Sequence, residues 1–226
     1  MHRHESRKLN AGFFKIWSSK MAYVLGFFAA DGNLTVNPRG SHYIEFNSCD
    51  RESIEAIKSS INSSHKIAER TRKSIWKPSY RIQLGSKEMF KDLIKLGMKL
   101  RKSNDLNFPN VPIIYLADFI RGYFDGDGCV HLGKYERNDR PNPSWVFSTR
   151  FTSGSKNFLK GLRQSLSGVT HGGSLYHKIR GFDLAFSTND SLALFKFMYN
   201  NSESGLFLKR KRGVFQKAFK ILHMRA

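Results

Sequence analysis

The sequence predicts an α+β fold of two pseudo-symmetric αββαββα halves, joined by the packing of one helix from each. Three observations predict it. Two twelve-residue stretches, YVLGFFAADGNL (Tyr23–Leu34) and FIRGYFDGDGCV (Phe119–Val130), are near copies of each other, 96 residues apart. The segments after them repeat the same order of strand-like and helix-like patterns. The connecting segment NDLNFPNVPII holds Pro109 and Pro112 and leads straight into the second copy, which sets a boundary there. Residues 1–107 make the first half and residues 108–226 the second.

In the first half the motif helix is followed by a strand-like SHYIEF, a polar turn, and a helix with Ile54, Ile57 and Ile61 at helical spacing. In the second half the same places hold SWVFSTRF, a polar turn, and a helix with Leu159, Leu162 and Leu166. Setting Phe46 against Phe151 brings all three apolar pairs into register at a constant offset of 105 residues. A second strand pair follows in each half: KIAERTRKS with SYRIQL, and SLYHKIR with GFDLAF, the latter with Gly181 in its turn. The next helix starts at Ser86 or Thr188, both of N-cap type, and runs to Leu96 or Tyr199. The second half also carries an insertion, GKYERNDRPNPS, which reads as a long polar loop between its motif helix and next strand.

Composition narrows the class of function. With 226 residues, 40% of them apolar, and 19 Phe, the chain can bury a core. Its 38 Lys and Arg against 18 Asp and Glu leave a formal charge of +20, which calls for a polyanion, nucleic acid first and a membrane surface second. The longest apolar run, Met21–Ala30, is about half of the roughly 20 residues that span a bilayer. The N-terminal MHRHESRKLN lacks the apolar centre of a secretory signal. Cys49 and Cys129 form no CxxC pair, which argues against a disulfide framework and a cysteine zinc site. These features read as a soluble intracellular protein, from a bacterial or phage cytoplasm or an organelle.

In each motif helix small residues recur four apart, Gly26 with Ala30 and Gly122 with Gly126, and so share a face that lets two backbones approach closely. Packing those faces together across a pseudo-twofold axis would place Asp31 and Asp127 side by side. Gly32 and Gly128 would then end the helices in the left-handed conformation. A helix C-terminus already carries about half a negative charge, so carboxylates there cost stability, and two facing carboxylates repel each other. The arrangement makes sense around a divalent cation. Mg²⁺ takes oxygen ligands while keeping waters and substrate phosphates in its shell, and paired metal ions can activate a water and stabilise the leaving oxygen of a phosphodiester. An acidic pair beside a basic surface reads as a nuclease centre. An EF-hand loop is excluded: Asp125, Asp127 and Glu136 stand at its first, third and twelfth positions, but Cys129 and Val130 replace a ligand and the required Gly.

In LGFFAADG and IRGYFDGDG the glycine and the terminal Asp-Gly match the double motif of single-chain LAGLIDADG homing endonucleases, which this chain resembles over nearly its whole length. The resemblance implies a monomer whose halves act as a pseudodimer. It also implies that Asp31 and Asp127 hold shared Mg²⁺ ions, with the backbone carbonyls of Ala30 and Gly126 facing the metals. Ala29 departs from the pattern, which usually has an acid there, as it does at Asp125; that position is not a metal ligand in the family. The family also places a basic residue near each site, shortly before the last helix of each half. The matching stretches KLRKSND and LFLKRKRGVF offer Lys102 and Lys211, with Lys209 as the alternative to the latter. Asn47 or Ser48, and Thr152 or Ser153, fall where the family holds solvent-organising side chains.

With the motif helices at the centre, the strands of each half would form a curved antiparallel sheet, covered by helices on one side and facing DNA on the other. Alternation turns Tyr43, Glu45, Asn47, Arg81 and Gln83 outward in the first half. It does the same for Ser148, Arg150, Tyr176, Lys178 and Arg180 in the second, and Arg70 and Arg72 add to the first. Such side chains suit a β-ribbon in the major groove, where Arg and Gln read purine edges, while the remaining basic excess meets phosphates. The expected partner is double-stranded DNA, with a long target that is only weakly palindromic because the halves differ. The expected activity is Mg²⁺-dependent cleavage of both strands, one at each Asp-centred site. The resemblance further implies intron mobility, by an intron-encoded or free-standing enzyme rather than an intein. The alternatives are an intron maturase, whose partner would be RNA, and a DNA-binding regulator that has lost cleavage. The paired acids favour the nuclease, since a pure binder has no need of them.

Overall fold

The computed structural model describes residues 8–71, 77–100, 104–136, 142–200 and 204–224; Arg72 and Lys102 lie outside them. The centre is a pair of helices, α1 (Ser19–Asp31) and α4 (Leu116–Asp127). Ser18 caps α1, its hydroxyl accepting from the Met21 N–H, and every residue from Met21 to Ala29 is buried. A helix apolar all round has no solvent face to offer, so it must be enclosed by the rest of the fold. One 3-10 turn, Ile113–Tyr115, leads into α4, whose polar Asp118, Arg121 and Asp125 are buried along with its apolar residues.

The glycines explain how the two helices meet. A Cβ on Gly26 would run into the backbone carbonyl of Phe119, and one on Gly122 would run into that of Tyr23. Each helix therefore lays backbone on backbone at equivalent points. Around this seam Phe27, Phe28, Phe119 and Phe124 are fully enclosed, each contributing about 1.5–3 kcal/mol by the transfer of its ring from water.

From the C-terminus of α1 the chain passes directly into β1 (Gly32–Val36), then β2 (His42–Ser48), α2 (Arg51–Ser60), β3 (Ala68–Arg70), β4 (Ser79–Gly85) and α3 (Lys87–Lys95). From α4 it passes into β5 (Gly128–Tyr135), β6 (Ser144–Ser153), α5 (Lys156–Ser165), β7 (Ser174–Lys178), β8 (Gly181–Phe186) and α6 (Thr188–Tyr199). The two antiparallel sheets have the same order, β1-β2-β4-β3 and β5-β6-β8-β7. In both, one face carries the core, Ile44, Phe46, Ile82 and Leu84 in the first and Phe147, Phe151, Leu184 and Phe186 in the second. The other face is left open. The final helix, α7 (Lys209–Ile221), stands outside the repeat and packs Phe215 and Phe219 against Phe147 and Phe195.

Four expectations need correction. Gly32 and Gly128 are extended, with φ of −81° and −86°, and not left-handed. What excludes a side chain there is the ring of Phe28 or Phe124, on which a Cβ would fall. The residues after each Asp-Gly are themselves a strand, and Gly133–Tyr135 of the supposed polar insertion continue β5, paired with Val146, Trp145 and Ser144 of β6. The N-cap of α6 is Ser187, and Thr188, one residue on, donates instead to the Phe147 carbonyl. Ser86 caps α3 as expected, accepting from the Met89 N–H.

Among the described residues two hydrogen-bonded links bind the halves beyond the seam, alongside the stacked rings of Trp17 and Tyr115, and these two links are equivalent at one end. Ser155, the N-cap of α5, donates to the Leu106 carbonyl at 2.6 Å, so the segment after α3 crosses to the second half. Asp50, the N-cap of α2, takes Arg210 of α7 through two contacts at 2.8 and 3.3 Å, so the segment after α6 reaches the first half. Arg121, fully buried, holds that second segment down. Its guanidinium donates to Asp118, to the carbonyls of Met198 and Leu206, and to Ser204.

Candidate functional site

Both motif aspartates end up at the same place, the C-terminal end of the seam. Asp31 Oδ2 lies 3.3 Å from where a Cβ on Gly126 would be, one residue before Asp127. That position tolerates only glycine because Ala30 of α1 fills it. The buried hydroxyl of Tyr123 has its pKa raised by burial first, then by the charge of Asp127, with a smaller push from Asp31. The same phenol therefore senses both carboxylates. Tyr123 donates to the Thr152 carbonyl at 2.7 Å, which ties the helix end to the last residues of β6. Beside it opens a cleft of about 180 Å³, lined by Ala29, Ala30, Leu106, Tyr123, Asp127, Ser153 and Gly154. Both halves build it.

The C-terminus of α4 answers how a carboxylate is tolerated there. Lys211 Nζ is buried against the helix end and donates to three successive carbonyls, Phe124 at 2.6 Å, Asp125 at 2.8 Å and Gly126 at 3.2 Å. A cation on the last carbonyls offsets the negative end of the helix dipole where Asp127 stands, the Phe124 carbonyl accepting from the Gly128 N–H as well. Burial lowers the pKa of Lys211, with Asp125 pulling the other way. Asp125 itself faces the interior. It accepts from the Tyr23 hydroxyl across the seam and from the Leu208 N–H, both at 2.8 Å, while its Oδ1 is buried without a hydrogen bond. Burial pushes its carboxyl up to about 6 against the opposing pull of Tyr23 and Lys211. Ala29 occupies the equivalent place in α1, so this latch belongs to the second half. Lys209, the first residue of α7, is exposed.

The donor set suits a hard cation. The Asp31 carboxylate lies beside Gly126 at the end of α4, and Asp127 lines the same cleft as Ala30; Mg²⁺ is commonly held by one or two carboxylates completed by water and phosphate oxygens. The Gly126 carbonyl has two lone pairs, so its bond from Lys211 leaves one for another partner. Among the described residues no group of three or more His, Cys, Asp and Glu gathers, at this site or any other, so the two aspartates are the carboxylates on offer here.

The solvent-organising alternatives separate by face. Ser48 and Ser153 accept from the N–H of Asp50 and of Ser155 at the turns into α2 and α5, and Ser153 also lines the cleft beside Asp127. Asn47 lies on the open face, and Thr152 donates to Asp183 there at 2.7 Å.

On the first sheet Tyr43, Glu45 and Asn47 pair across the strands with Gly85, Gln83 and Arg81, so that all share the open face. Arg70 sits on the short edge strand opposite Ser79. On the second sheet Ser148, Arg150, Tyr176 and Lys178 share the open face, and Arg180 lies in the exposed β7–β8 turn. The structure adds Asn33 and Thr35 from β1 and Cys129 and His131 from β5, which pair with open-face residues. The sequence hides them because Asp-Gly reads as a helix end and the residues after it as loop. It also adds Asp183, whose signal was the alternation in GFDLAF, where Phe182 and Leu184 flank it. No helix among the described residues is long and apolar enough to cross a membrane.

Comparison with known proteins matches the description "LAGLIDADG-like domain" twice, at residues 18–96 and 115–193. An uncharacterised protein of Methanocaldococcus jannaschii is 26% identical over 124 residues, 52% of this chain and 41% of that protein, so the chain spans less than half the length of this relative. Among solved structures, the I-LtrWI LAGLIDADG homing endonuclease bound to target DNA has a TM-score of 0.64 at 13% identity, covering 95% of this chain and 92% of that one. The meganuclease I-SmaMI bound to uncleaveable DNA has a TM-score of 0.62 at 13% identity, covering 88% of each chain. I-SmaMI has also been seen on an uncleaved DNA target with calcium ions, at a TM-score of 0.62 and 12% identity, covering 91% of this chain and 90% of that one. At such identities the likeness is one of fold.

Proposed function

We propose, since the chain belongs to the LAGLIDADG family, that it is a site-specific endonuclease making Mg²⁺-dependent double-strand breaks in a long, weakly palindromic DNA target. One observation carries the reading: Asp31 and Asp127 meet at one end of the glycine seam, between two sheets whose open faces are rich in polar and basic side chains. Folding alone gives no reason to bring two acids to two helix C-termini. The relatives found on DNA support duplex DNA as the partner.

Asp31, Asp127 and the carbonyls of Ala30 and Gly126 would hold the cation. When bound, Mg²⁺ supplies charge stabilisation at the scissile phosphate and a more acidic water. The chain's own residues set the geometry. The Gly26–Gly122 seam fixes the separation of the two carboxylates, because backbone meets backbone with nothing between to compress. Lys211 holds the last turn of α4 and so positions Asp127; its three bonds to carbonyls make it a positioning residue. Lys209 and Lys102 remain the basic residues offered to the phosphate. The open faces orient the duplex, with Arg and Gln toward purine edges and further Lys and Arg toward phosphates.

The test is to incubate the protein with a randomised duplex library in Mg²⁺, in Ca²⁺ and in EDTA, then capture and sequence new ends. One recovered long site, cut in Mg²⁺ alone, is the expected result. Sequence-specific binding without new ends in any metal would overturn cleavage and leave a binding protein on this fold.

A further inference from the structure

The open faces of the two sheets carry the same ion pair with its polarity reversed. The strand registers set Phe46 opposite Ile82 and Phe151 opposite Leu184, so Glu45 corresponds to Arg150 and Arg81 to Asp183. In the first sheet the acid is on β2: Glu45 Oε1 takes Gln83 Nε2 at 2.7 Å and Arg81 at 3.3 Å. In the second the acid is on β8: Asp183 takes Lys178 at 2.9 Å, Thr152 at 2.7 Å and Arg150 at 3.5 Å. In both sheets the acid is the covered partner and the base the reaching one. The side chains of Glu45 and Asp183 are 13% and 11% exposed, against 50%, 47% and 42% for Arg81, Arg150 and Lys178.

Both placements run against the charge of the molecule. A chain of net +20 that needed only phosphate contacts would gain nothing from an acid among its face residues. An acid on the floor of a base-reading face can do two things. It holds an Arg or Lys in one direction, which cuts the entropy cost of a bidentate contact to guanine, and it weakens contact with any duplex that lacks a base edge at the right place. Burial pushes Asp183 up, but the hydrogen bonds from Lys178 and Thr152 and the charges of Lys178 and Arg150 outweigh it and hold its carboxyl below the usual range.

We infer that Asp183 and Glu45 are specificity-determining positioning residues, each aiming the basic readers of its own sheet at base edges and withholding them from phosphates. The inference rests on the DNA-binding reading above. Because the polarity is reversed, the two half-sites should carry different base preferences at equivalent positions, so each acid governs one half-site alone.

The test is selection of a randomised duplex library by the full chain in Ca²⁺, for wild type, Asp183→Asn, Asp183→Glu and Glu45→Gln. Asp183→Asn is expected to bind random duplex several-fold more tightly. The slope of log K against log salt should steepen by up to about one. Discrimination should fall at least about tenfold at the base pairs under the second sheet only, as expected for freeing a bidentate reader. Asp183→Glu should restore part of it, and Glu45→Gln should relax the other half-site. Folding is followed by thermal melting, and a merely structural role would lower melting and affinity at all base pairs alike. Unchanged profiles for Asp183→Asn and Glu45→Gln, or relaxation spread over both half-sites, would overturn the inference alone. A wild type that selects no sequence would overturn the DNA-binding reading together with it.

Discussion

The helix seam and the sheet faces are built from the same repeat, yet they treat symmetry in opposite ways. At the seam Gly26 meets the Phe119 carbonyl as Gly122 meets that of Tyr23. On the faces Glu45 stands where Arg150 does, and Arg81 where Asp183 does. The difference fits the roles proposed for the two regions. Backbone contacts must match because they set the distance between two carboxylates, and any mismatch would be felt at once in a close-packed interface. A face that reads a sequence gains by differing, since a symmetric pair of faces can prefer only a palindrome. The ends of the motif helices lie between these extremes. Both carry Asp-Gly, but the Asp125–Tyr23 bond and the Lys211 cap are found on α4, where α1 has Ala29.

Gly122→Val breaks the seam most directly. The new side chain would collide with the Tyr23 backbone, which cannot give way as a flexible side chain can, so we expect a loss above about 3 kcal/mol. Chemical denaturation should show it, and Gly26→Val should cost about as much if the seam is as symmetric as described. Lys211→Met comes next. It removes the Lys211 donor from the Asp125 and Gly126 carbonyls, while that of Phe124 keeps the Gly128 N–H, a cost of about 1–3 kcal/mol by thermal melting, with cleavage reduced at a site whose Asp127 is less well held. Arg81→Ala sharpens the other side of the comparison: discrimination should fall by about 1–3 kcal/mol at base pairs under the first sheet, read by selection, with melting nearly unchanged. Arg210→Ala should matter least, below about 1 kcal/mol, because its ion pair with Asp50 is more than half exposed on the arginine side.

The seam and the core faces were legible because both are periodic: small residues every fourth position, apolar residues every second or at helical spacing. The Asp pair was legible as a cost, an acid where helix electrostatics resists one. What stayed hidden was non-local. Lys211 read as a basic residue for the phosphate because only the fold brings it onto the carbonyls of α4, and Asp125 gave no sign that Tyr23 of the other helix would claim it. β1 and β5 were lost for a local reason: Gly32 and Gly128 look like helix terminators but are extended, so helix runs into strand without the turn that would have marked it. Asp183 was hidden by its neighbours, since the apolar residues around it drew the reading to the core face.

The central claim is that the two carboxylates joined by the seam serve the chemistry and not the binding. Its most direct test is Asp31→Asn, with duplex binding measured in Ca²⁺ and strand cleavage in Mg²⁺ on the same DNA. Loss of cleavage by at least about a hundredfold with affinity held within a few-fold is the predicted result, on the scale set by removing one preorganised charge from a catalytic site. Cleavage at the wild-type rate would contradict it, and would mean that the aspartates at the end of the seam do not carry the reaction.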